Sequence, residues 1–378
     1  MAARVLMVVS NGFTHDPRVA AEAASLHRAG CEVVVLAWDR RATLPQEETR
    51  DGVRVLRVRT TIGMRLRPYD LFRLRPFWRL VARRALDLHR EAPFDAIHCH
   101  DLDTLPAGVR WKEWTGRPLV YDAHEYFPEM IAELSRARAW SRRFAGLEQR
   151  LARRADLILG AAPPHQEYFA RMTNVPVAIV MNTRPLAYDS FEPPRNARMK
   201  VVYIGGLQQF RLLVPFAELA VEDGSFEADI GGWGPVAGAI QTLADASKGN
   251  LRYLGVVPGQ DVIPLTHASD VVYSLLDPSK RVFRDAAPNK LFEAVVAGRP
   301  ILVTKGTWAA REVEAADCGV SLEYTKEALH EALKDLQRDS GRRERMGRNA
   351  FRLAQEKYNW SRDEAVLLSA YRRLGLAV

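Results

Sequence analysis

The sequence predicts an α/β protein of two doubly wound, Rossmann-like domains that face a cleft, with a C-terminal helix that crosses back to the first domain. Its 378 residues are about twice the usual length of one domain. Short apolar runs alternate with stretches long enough for helices, which indicates parallel sheets. A proline-rich segment without periodicity interrupts this alternation near the middle. The predicted divisions are a first domain over 1–183, a linker over 184–198, a second domain over 199–358 and a helix over 359–378.

The first half opens with a buried-type strand and a helix. Asp16 is a good N-cap and Pro17 suits the first helical position, while Gly30 ends the helix. We assign its apolar face to Val19, Ala20, Ala23, Ala24, Leu26 and His27. Strands are predicted over Val5–Val9, Glu32–Ala37, Val53–Arg59, Phe94–Cys99, Pro118–Asp122, Asp156–Gly160 and Val175–Met181, of which Val53–Arg59 alternates as an edge or half-buried strand does.

The second half repeats the scheme without repeating the sequence. The segment Asn182–Arg198, which contains the predicted linker over 184–198, holds three prolines. Strands are predicted over Lys200–Ile204, Phe226–Ile230, Leu251–Leu254, Val271–Leu275 and Ile301–Val303. Ligands of such sheets bind beyond the carboxyl ends of the strands.

Composition and charge exclude several classes of protein. With 47% hydrophobic and 26% charged residues the chain is neither mainly disordered nor fibrous. No apolar run is long enough to span a membrane, and three scattered cysteines fit a reducing cytoplasm. Most of the net charge of +8 lies in the first half, where Met64–Arg90 carries eight arginines. The amphipathic stretch Arg65–Arg90 is either a face that binds an anionic membrane or an ordinary helix with a basic outer surface. Nucleic acid is disfavoured as a partner because no nucleic-acid-binding motif accompanies the stretch.

One segment of the second half combines the groups that bind an anionic ligand. Pro288 and Asn289 begin a helix that Gly298 ends, and Lys290 and Glu293 share one face of its first turns. The amides of a helix N-terminus and a lysine both favour phosphate, and a carboxylate can accept hydrogen bonds from a ribose diol. The alternative interpretation is a surface helix with a Lys–Glu ion pair.

Two glycine loops of the second half could approach a diphosphate. Gly205, Gly206 and Arg211 follow the first strand of that domain, so the backbone can come close and an arginine can neutralise charge. Gly232 and Gly234 fit the letters of a dinucleotide fingerprint, but the expected acid about twenty residues later is missing. A nicotinamide cofactor is therefore disfavoured.

The first half places polar residues after two predicted strands. His98 and His100 lie two apart on one face, followed by Asp101 and Asp103, so a metal site and a plain helix cap both stay open, with no metal as the favoured interpretation. His124 follows the strand Pro118–Asp122 and is the better catalytic candidate. His15 and Asp16 are candidates for the cleft lining.

In this order, each at a predicted strand end, these motifs resemble the retaining GT-B glycosyltransferases of the family-4 type. Asp285 and Glu293 have the spacing of the two acids in the family's donor-binding signature, although the family has Glu at the first position. Gly206 stands where the family usually carries an Arg. The remaining matches are Ser10–Arg18 with the first loop, Ala96–Asp103 with the acceptor-side loop, Tyr121–Glu125 with the His-bearing strand end and Tyr203–Arg211 with the loop that opens the second domain.

The resemblance implies a metal-independent transfer of a sugar from a nucleoside diphosphate to a hydroxyl acceptor, by a cytoplasmic or peripheral membrane enzyme. The implied catalytic residues are His124, Asp285 and Glu293. The donor would contact Gly205, Gly206, Arg211, Gly232, Gly234, Pro288, Asn289, Lys290 and Glu293, and the acceptor side would include Asn11, Gly12, His15, Asp16, His100, Asp101 and Glu125. Two alternatives stay open, a nucleotide-sugar epimerase or hydrolase of the same fold, and a non-catalytic relative that binds nucleotide sugars.

Overall fold

The computed structural model describes residues 2–14, 16–66, 70–135 and 138–378. It divides into an N-terminal unit, Met1–Met181 with Asp363–Val378, and a C-terminal unit, Asn182–Arg362. Each unit is a largely parallel sheet between helices, which confirms the predicted fold class. Among the described residues, no helix combines the length and the apolar composition that crossing a bilayer requires.

The sheet of the N-terminal unit has the strand order β3-β4-β2-β1-β5-β6-β7-β8 over the described residues, and only β3 runs antiparallel to its neighbour. The strands are β1 (Arg4–Val8), β2 (Glu32–Asp39), β3 (Glu47–Arg50), β4 (Val53–Arg59), β5 (Ala96–His100), β6 (Leu119–Ala123), β7 (Leu157–Gly160) and β8 (Val177–Ile179). The helices are α1 (Pro17–Arg28), α2 (Ile62–Arg65), α3 (Asp70–Glu91), α4 (Leu105–Thr115), α5 (Phe127–Ser135), α6 (Arg138–Ala152) and α7 (Pro164–Ala170).

Strand β4 departs from the predicted pattern at one position. It lies between β2 and β3 rather than at the edge of the sheet, and Arg57 is buried although Arg54 and Arg59 are exposed. Arg57 donates from Nε to the carbonyl of Gly12 at 2.9 Å and from Nη1 to the carbonyl of Pro45 at 3.0 Å. These bonds satisfy the buried guanidinium and hold the loop after β1 against β4.

The sheet of the C-terminal unit is parallel in the order β11-β10-β9-β12-β13-β14. Its strands are β9 (Lys200–Ile204), β10 (Glu227–Gly231), β11 (Leu251–Gly255), β12 (Val271–Ser274), β13 (Ile301–Thr304) and β14 (Gly319–Leu322). The helices are α8 (Leu213–Asp223), α9 (Ala237–Ala246), α10 (Gly259–His267), α11 (Arg281–Arg284), α12 (Asn289–Val296), α13 (Trp308–Ala316), α14 (Lys326–Arg338), α15 (Ser340–Glu356) and α16 (Trp360–Arg373), the last continuing into the N-terminal unit from Asp363. The chain order reverses between β9 and β12, and ligands of open α/β sheets bind at such a switch point.

Candidate active site

In the N-terminal unit, titratable side chains gather where β5 and β6 end. His100 closes β5 and is the register partner of Asp122 on β6. The buried carboxylate of Asp122 accepts from Arg18 Nε at 3.0 Å and from Arg18 Nη2 at 2.5 Å, and its Oδ2 lies 3.0 Å from both His100 Nδ1 and His124 Nε2. Asp122 is therefore the centre of a cluster that joins α1, β5 and β6, which we call the Asp122 cluster.

The charges within this cluster determine where protons reside. Burial works against the charged form of Asp122, yet Arg18 and His124 hold its pKa well below the usual range. Burial alone would lower the pKa of His124, but the carboxylates of Asp101 and Asp122 raise it to about 10. Burial raises the pKa of Asp101 to about 7, and His124 opposes this shift. At neutral pH His124 is a cation, and Asp101 lies near its titration midpoint.

Two further members of the cluster lie deeper in the unit. His98 stacks on His100 with ring centroids 4.2 Å apart, and its Nδ1 lies 2.8 Å from the hydroxyl of Tyr371 on α16. The fully buried Glu22 has a pKa raised to about 8, first by burial and then by Asp122. Both carboxylate oxygens of Glu22 and the Nε2 atoms of His98 and His100 lack a hydrogen-bond partner among the described residues.

Within the described part of the chain, Glu22, His98, His100 and Asp122 form the group that could hold a metal ion. One potential ligand atom from each lies within 4.8 Å of the others, and all four side chains are buried. However, Arg18 already lies beside both carboxylates, 3.2 Å from Glu22 Oε1, and His124 supplies a second positive charge. Two cations of the protein itself therefore lie beside these acids, and Glu22, with a pKa of about 8, is mostly uncharged at neutral pH.

The loop after β1 is held by its own side chains. Asn11 Nδ2 donates to Asp16 Oδ2 at 2.9 Å, and Asp16 Oδ1 accepts from the amide of Val19 at 3.3 Å, which confirms Asp16 as the N-cap of α1. His15 lies outside the described residues. Glu125 is exposed at the turn after β6, and Asp101 Oδ1 accepts from the amide of His124 at 3.1 Å.

In the C-terminal unit, charged side chains surround the first turns of α12. Pro288 is the N-cap, Asn289 is exposed, and Lys290 forms an ion pair with Glu293. Glu293 is 4% exposed, and its Oε1 also accepts from Arg184 Nη2 at 3.1 Å. The predicted Lys–Glu face is confirmed, but it is enclosed by the protein and is not the surface pair of the alternative interpretation.

A third cation adjoins this pair. Arg211 lies in a short 3₁₀ turn, Gln209–Arg211, and its guanidinium lies over the rings of Tyr203 and Phe210 at 5.9 and 5.5 Å. Its buried Nε has no hydrogen-bond partner among the described residues. Burial lowers the pKa of Lys290, and the charges of Arg184 and Arg211 act in the same direction, although Glu293 opposes them. Arg184 and Lys290 thus share the carboxylate of Glu293, and Arg211 adds a third positive charge near Lys290. We call these three cations and Glu293 the α12 cation cluster.

The glycine loops are packed too closely for side chains at most of their positions. A Cβ on Gly232 would lie 1.8 Å from the carbonyl oxygen of Gly205, and one on Gly234 would lie 2.3 Å from that of Leu207. Gly232 and Gly234 also have φ angles of 131° and 157°, which L-residues rarely adopt. A Cβ on Gly205 would lie 3.2 Å from Cε of Lys290, which places this loop beside α12, whereas Gly206 is exposed and has open space around it.

Asp285, the first acid of the predicted donor signature, has other partners. Its Oδ2 accepts from Arg281 Nε at 3.1 Å, and Arg284 Nε lies 3.9 Å from Oδ1. The side chain is 18% exposed at the end of α11, whereas Glu293 is enclosed. The structure therefore separates the two acids into different ion-pair groups.

Sequence reasoning missed several residues of both clusters. Arg18 and Glu22 lie on the buried face of α1, while Ala20 and His27, which we assigned to that face, are exposed. Asp122 carried a signal, since a lone acid in an otherwise apolar strand requires a partner. Arg184 carried none, because it lies in the unpatterned segment predicted as linker.

Three kinds of comparison relate this chain to known proteins. Residues 15–183 match the family model of the glycosyl transferase 4-like domain. No curated protein sequence matches the chain. Solved structures of similar fold include a sucrose-phosphate synthase from Thermosynechococcus elongatus, at 14% identity with a TM-score of 0.82 over 100% of both chains. Anabaena HepE in complex with UDP and glucose is 16% identical, with a TM-score of 0.70 over 98% of this chain and 100% of HepE. WaaG, a glycosyltransferase involved in lipopolysaccharide biosynthesis, is 16% identical, with a TM-score of 0.70 over 97% of this chain and 99% of WaaG.

These matches cover both units and confirm the resemblance predicted from the motifs. Over its whole length the chain has the GT-B fold of these glycosyltransferases.

Proposed function

We propose that the protein transfers a sugar, with retention of configuration and without a metal ion, from a nucleoside diphosphate to a hydroxyl acceptor. The observation that carries the donor half is the excess of positive charge in the α12 cation cluster. Arg184 and Lys290 pair with Glu293, and Arg211 adds a third positive charge near Lys290, beside a glycine loop and a helix N-terminus. A diphosphate supplies the negative charge that this cluster lacks, and Glu293 can accept hydrogen bonds from the ribose.

Electrostatic stabilisation of the leaving diphosphate supplies most of the proposed rate enhancement. In the transfer, the bond from the anomeric carbon to the diphosphate oxygen breaks and a bond to the acceptor oxygen forms. The developing negative charge falls on the diphosphate, which the cations and amides around α12 stabilise. Because these groups already supply positive charge, the step needs no divalent cation. Retention rests on the family resemblance.

The N-terminal unit supplies the acceptor half of the proposal. The acceptor hydroxyl loses its proton during transfer, and Asp101, with a pKa of about 7 and a side chain 31% exposed, can accept it near neutral pH. His124 Nδ1 lies 3.4 Å from Asp101 Oδ2, and its positive charge holds that carboxylate in place. Asp122 and Arg18 in turn orient His124.

The main test is nucleotide-sugar binding by the wild type and by Glu293→Gln. We expect at least one of the UDP-, GDP-, ADP- and dTDP-sugars to raise the melting temperature, with UDP-sugars the first choice because HepE was solved with UDP and glucose. Glu293→Gln keeps the side-chain shape but removes the charged acceptor, so affinity should fall about 10- to 100-fold. Glu323→Gln, at an exposed surface pair, is the matched control. Failure of every nucleotide sugar to bind, or unchanged binding in Glu293→Gln, would contradict the proposal.

Product analysis separates transfer from the two alternatives. A transferase forms a new glycoside only when an acceptor is present, whereas an epimerase or hydrolase converts the donor without one. The aspartate at position 285 and the glycine at 206 favour the third class, a binding protein without turnover. Absence of turnover for a donor that binds, across acceptors of several classes, would favour that class over ours.

We further propose that the enzyme acts at the cytoplasmic face of an anionic membrane. Ile62 and Leu66 of the α2 segment are 79% and 81% exposed, and Arg75, Arg79 and Arg83 of α3 are exposed. Residues 67–69 of the predicted stretch Arg65–Arg90 lie outside the described part of the chain. Co-sedimentation with vesicles should require anionic lipid and weaken with salt. Equal sedimentation with neutral vesicles would contradict it.

A further inference from the structure

A groove of about 800 Å³ lies between α3 and α6 of the N-terminal unit. One wall is aromatic, with Phe72 packed edge-on against Trp140 at 5.6 Å and Trp140 followed by Phe144 at 6.4 Å. Trp78 and Leu147 also line it. A groove of this volume accommodates a ligand of several tens of atoms, and its wall offers an apolar surface to a chain or ring.

Positive charge lines the same groove. Arg75, Arg142, Arg143 and Arg150 are exposed, and no carboxylate of the described residues lies within ion-pair distance of them. The acid nearest in sequence, Glu148, is buried on the other face of α6, where it accepts from the hydroxyls of Tyr121 at 2.7 Å and Tyr168 at 2.5 Å. Among the described residues that line the groove, none therefore compensates the four guanidinium groups.

The groove adjoins the reactive end of the sheet. Trp78, one of its lining residues, donates its indole N–H to the carbonyl of Asp103 at 2.7 Å. Asp103 lies in the loop that follows β5, two residues after Asp101. A ligand held in the groove would therefore extend towards the residues that we propose to receive the acceptor hydroxyl.

We propose that this groove binds the phosphate and the first carbons of an amphiphilic acceptor, in which an apolar chain carries the sugar through a phosphate or diphosphate. The aromatic wall takes the apolar chain and the arginines take the phosphate, since guanidinium pairs with phosphate in a bidentate geometry. A neutral sugar would leave the arginines uncompensated, and a small inorganic anion would leave the aromatic wall exposed. The inference rests on the proposed transferase function and specifies its acceptor class.

The experiment uses dodecyl phosphate below its critical micelle concentration as the probe, with the full-length protein. We expect saturable binding that Arg142→Gln/Arg143→Gln weakens at least tenfold. Arg110→Gln is the matched control, because Arg110 lies 5.1 Å over the ring of exposed Trp114 much as Arg143 lies 5.2 Å over Trp140, but in a different part of the unit. Trp140→Ala should weaken dodecyl phosphate more than inorganic phosphate.

Three other outcomes would overturn the proposal. Equal binding of dodecyl phosphate by the double variant and the wild type would exclude the arginines, and equal binding of dodecyl maltoside would show an apolar surface without phosphate recognition. Binding to phosphatidylglycerol vesicles without binding to monomeric dodecyl phosphate would assign the arginines to membrane docking. Nucleotide-sugar binding is measured on the same samples. If the wild type binds a nucleotide sugar but does not bind dodecyl phosphate, only the acceptor class is wrong. If the wild type binds no nucleotide sugar, the proposed function itself is refuted.

Discussion

The carboxyl ends of the two sheets carry opposite arrangements of charge. The Asp122 cluster places acids and cations together, with Arg18 beside Asp122 and with His124 beside Asp122 and Asp101. The α12 cation cluster instead has three cations and one carboxylate, and among the described residues Nε of Arg211 has no hydrogen-bond partner. Sheets of similar topology therefore carry different charge arrangements, because the residues that follow the strands differ.

Charge balance is the basis of our two proposals, proton transfer in the Asp122 cluster and anion binding by the α12 cation cluster. A cluster that is neutral within itself stabilises particular protonation states and needs no ligand. A cluster with surplus cations pays a desolvation cost that only a bound anion offsets. The following predictions test this difference, from the largest expected effect to the smallest.

Breaking the balance of the Asp122 cluster should have the largest effect. Arg18→Met leaves Asp122 charged, buried and without its main cation, and should destabilise the N-terminal unit by about 3–5 kcal/mol. Urea denaturation measures the free energy of unfolding. Asp122→Asn in the Arg18→Met background removes the stranded charge and should recover part of the loss. A single variant as stable as the wild type would show that the cluster is not balanced through Arg18.

Removing one cation from the α12 cation cluster should affect binding more than folding. Lys290→Gln removes a charge-assisted contact to the diphosphate worth about 1.5–3 kcal/mol, so nucleoside diphosphate affinity should fall about 10- to 100-fold by calorimetry. Stability should change little, because Arg184 still pairs with Glu293. Lys305→Gln, at an exposed surface pair, is the control. A large fall in the free energy of unfolding with unchanged nucleoside diphosphate affinity would contradict our distinction between the clusters.

The Asp122 cluster should also make stability depend on pH. His124 has a pKa of about 10 in the folded protein against an ordinary value of 6.5, so its contribution is complete below pH 6.5 and is lost as the pH rises towards 10. Glu22, with a folded pKa of about 8, adds a loss of the same sign up to pH 8. Between pH 8 and 10, the unfolding free energy of the wild type should fall relative to that of His124→Gln by up to ~1.4 kcal/mol per pH unit. Parallel curves for the two proteins would refute the charged state of His124.

Adding a cation to the glycine loop should give the smallest effect. Gly206 is exposed and has room for a side chain, so Gly206→Arg should fold normally. A solvent-exposed charge contributes only about 0.2–1 kcal/mol, which predicts up to about fivefold tighter binding of a nucleoside diphosphate at low salt. The gain should disappear at 1 M salt. Weaker binding would indicate that the loop approaches the ligand too closely for a side chain.

Much of the fold and part of the site could be predicted from local patterns. The runs over Val53–Arg59 and Lys200–Ile204 match β4 and β9 residue for residue, because β-branched alternation is a local signal. Helix α12 and its Lys290–Glu293 pair followed from helical spacing alone. Strands β3 and β14 were missed, since Glu47–Arg50 is polar throughout and Gly319–Leu322 is too short for a period to show.

The amino-acid sequence by itself determined the alternation of strands and helices, the resemblance to GT-B glycosyltransferases, and the residues that end each strand. These properties depend on neighbours within a few turns of chain. Only the tertiary structure decided that Arg18 meets Asp122 across 104 residues and that Arg184 completes the α12 cation cluster across 109 residues. Such contacts depend on strand order and on the path of loops, which local periodicity does not encode.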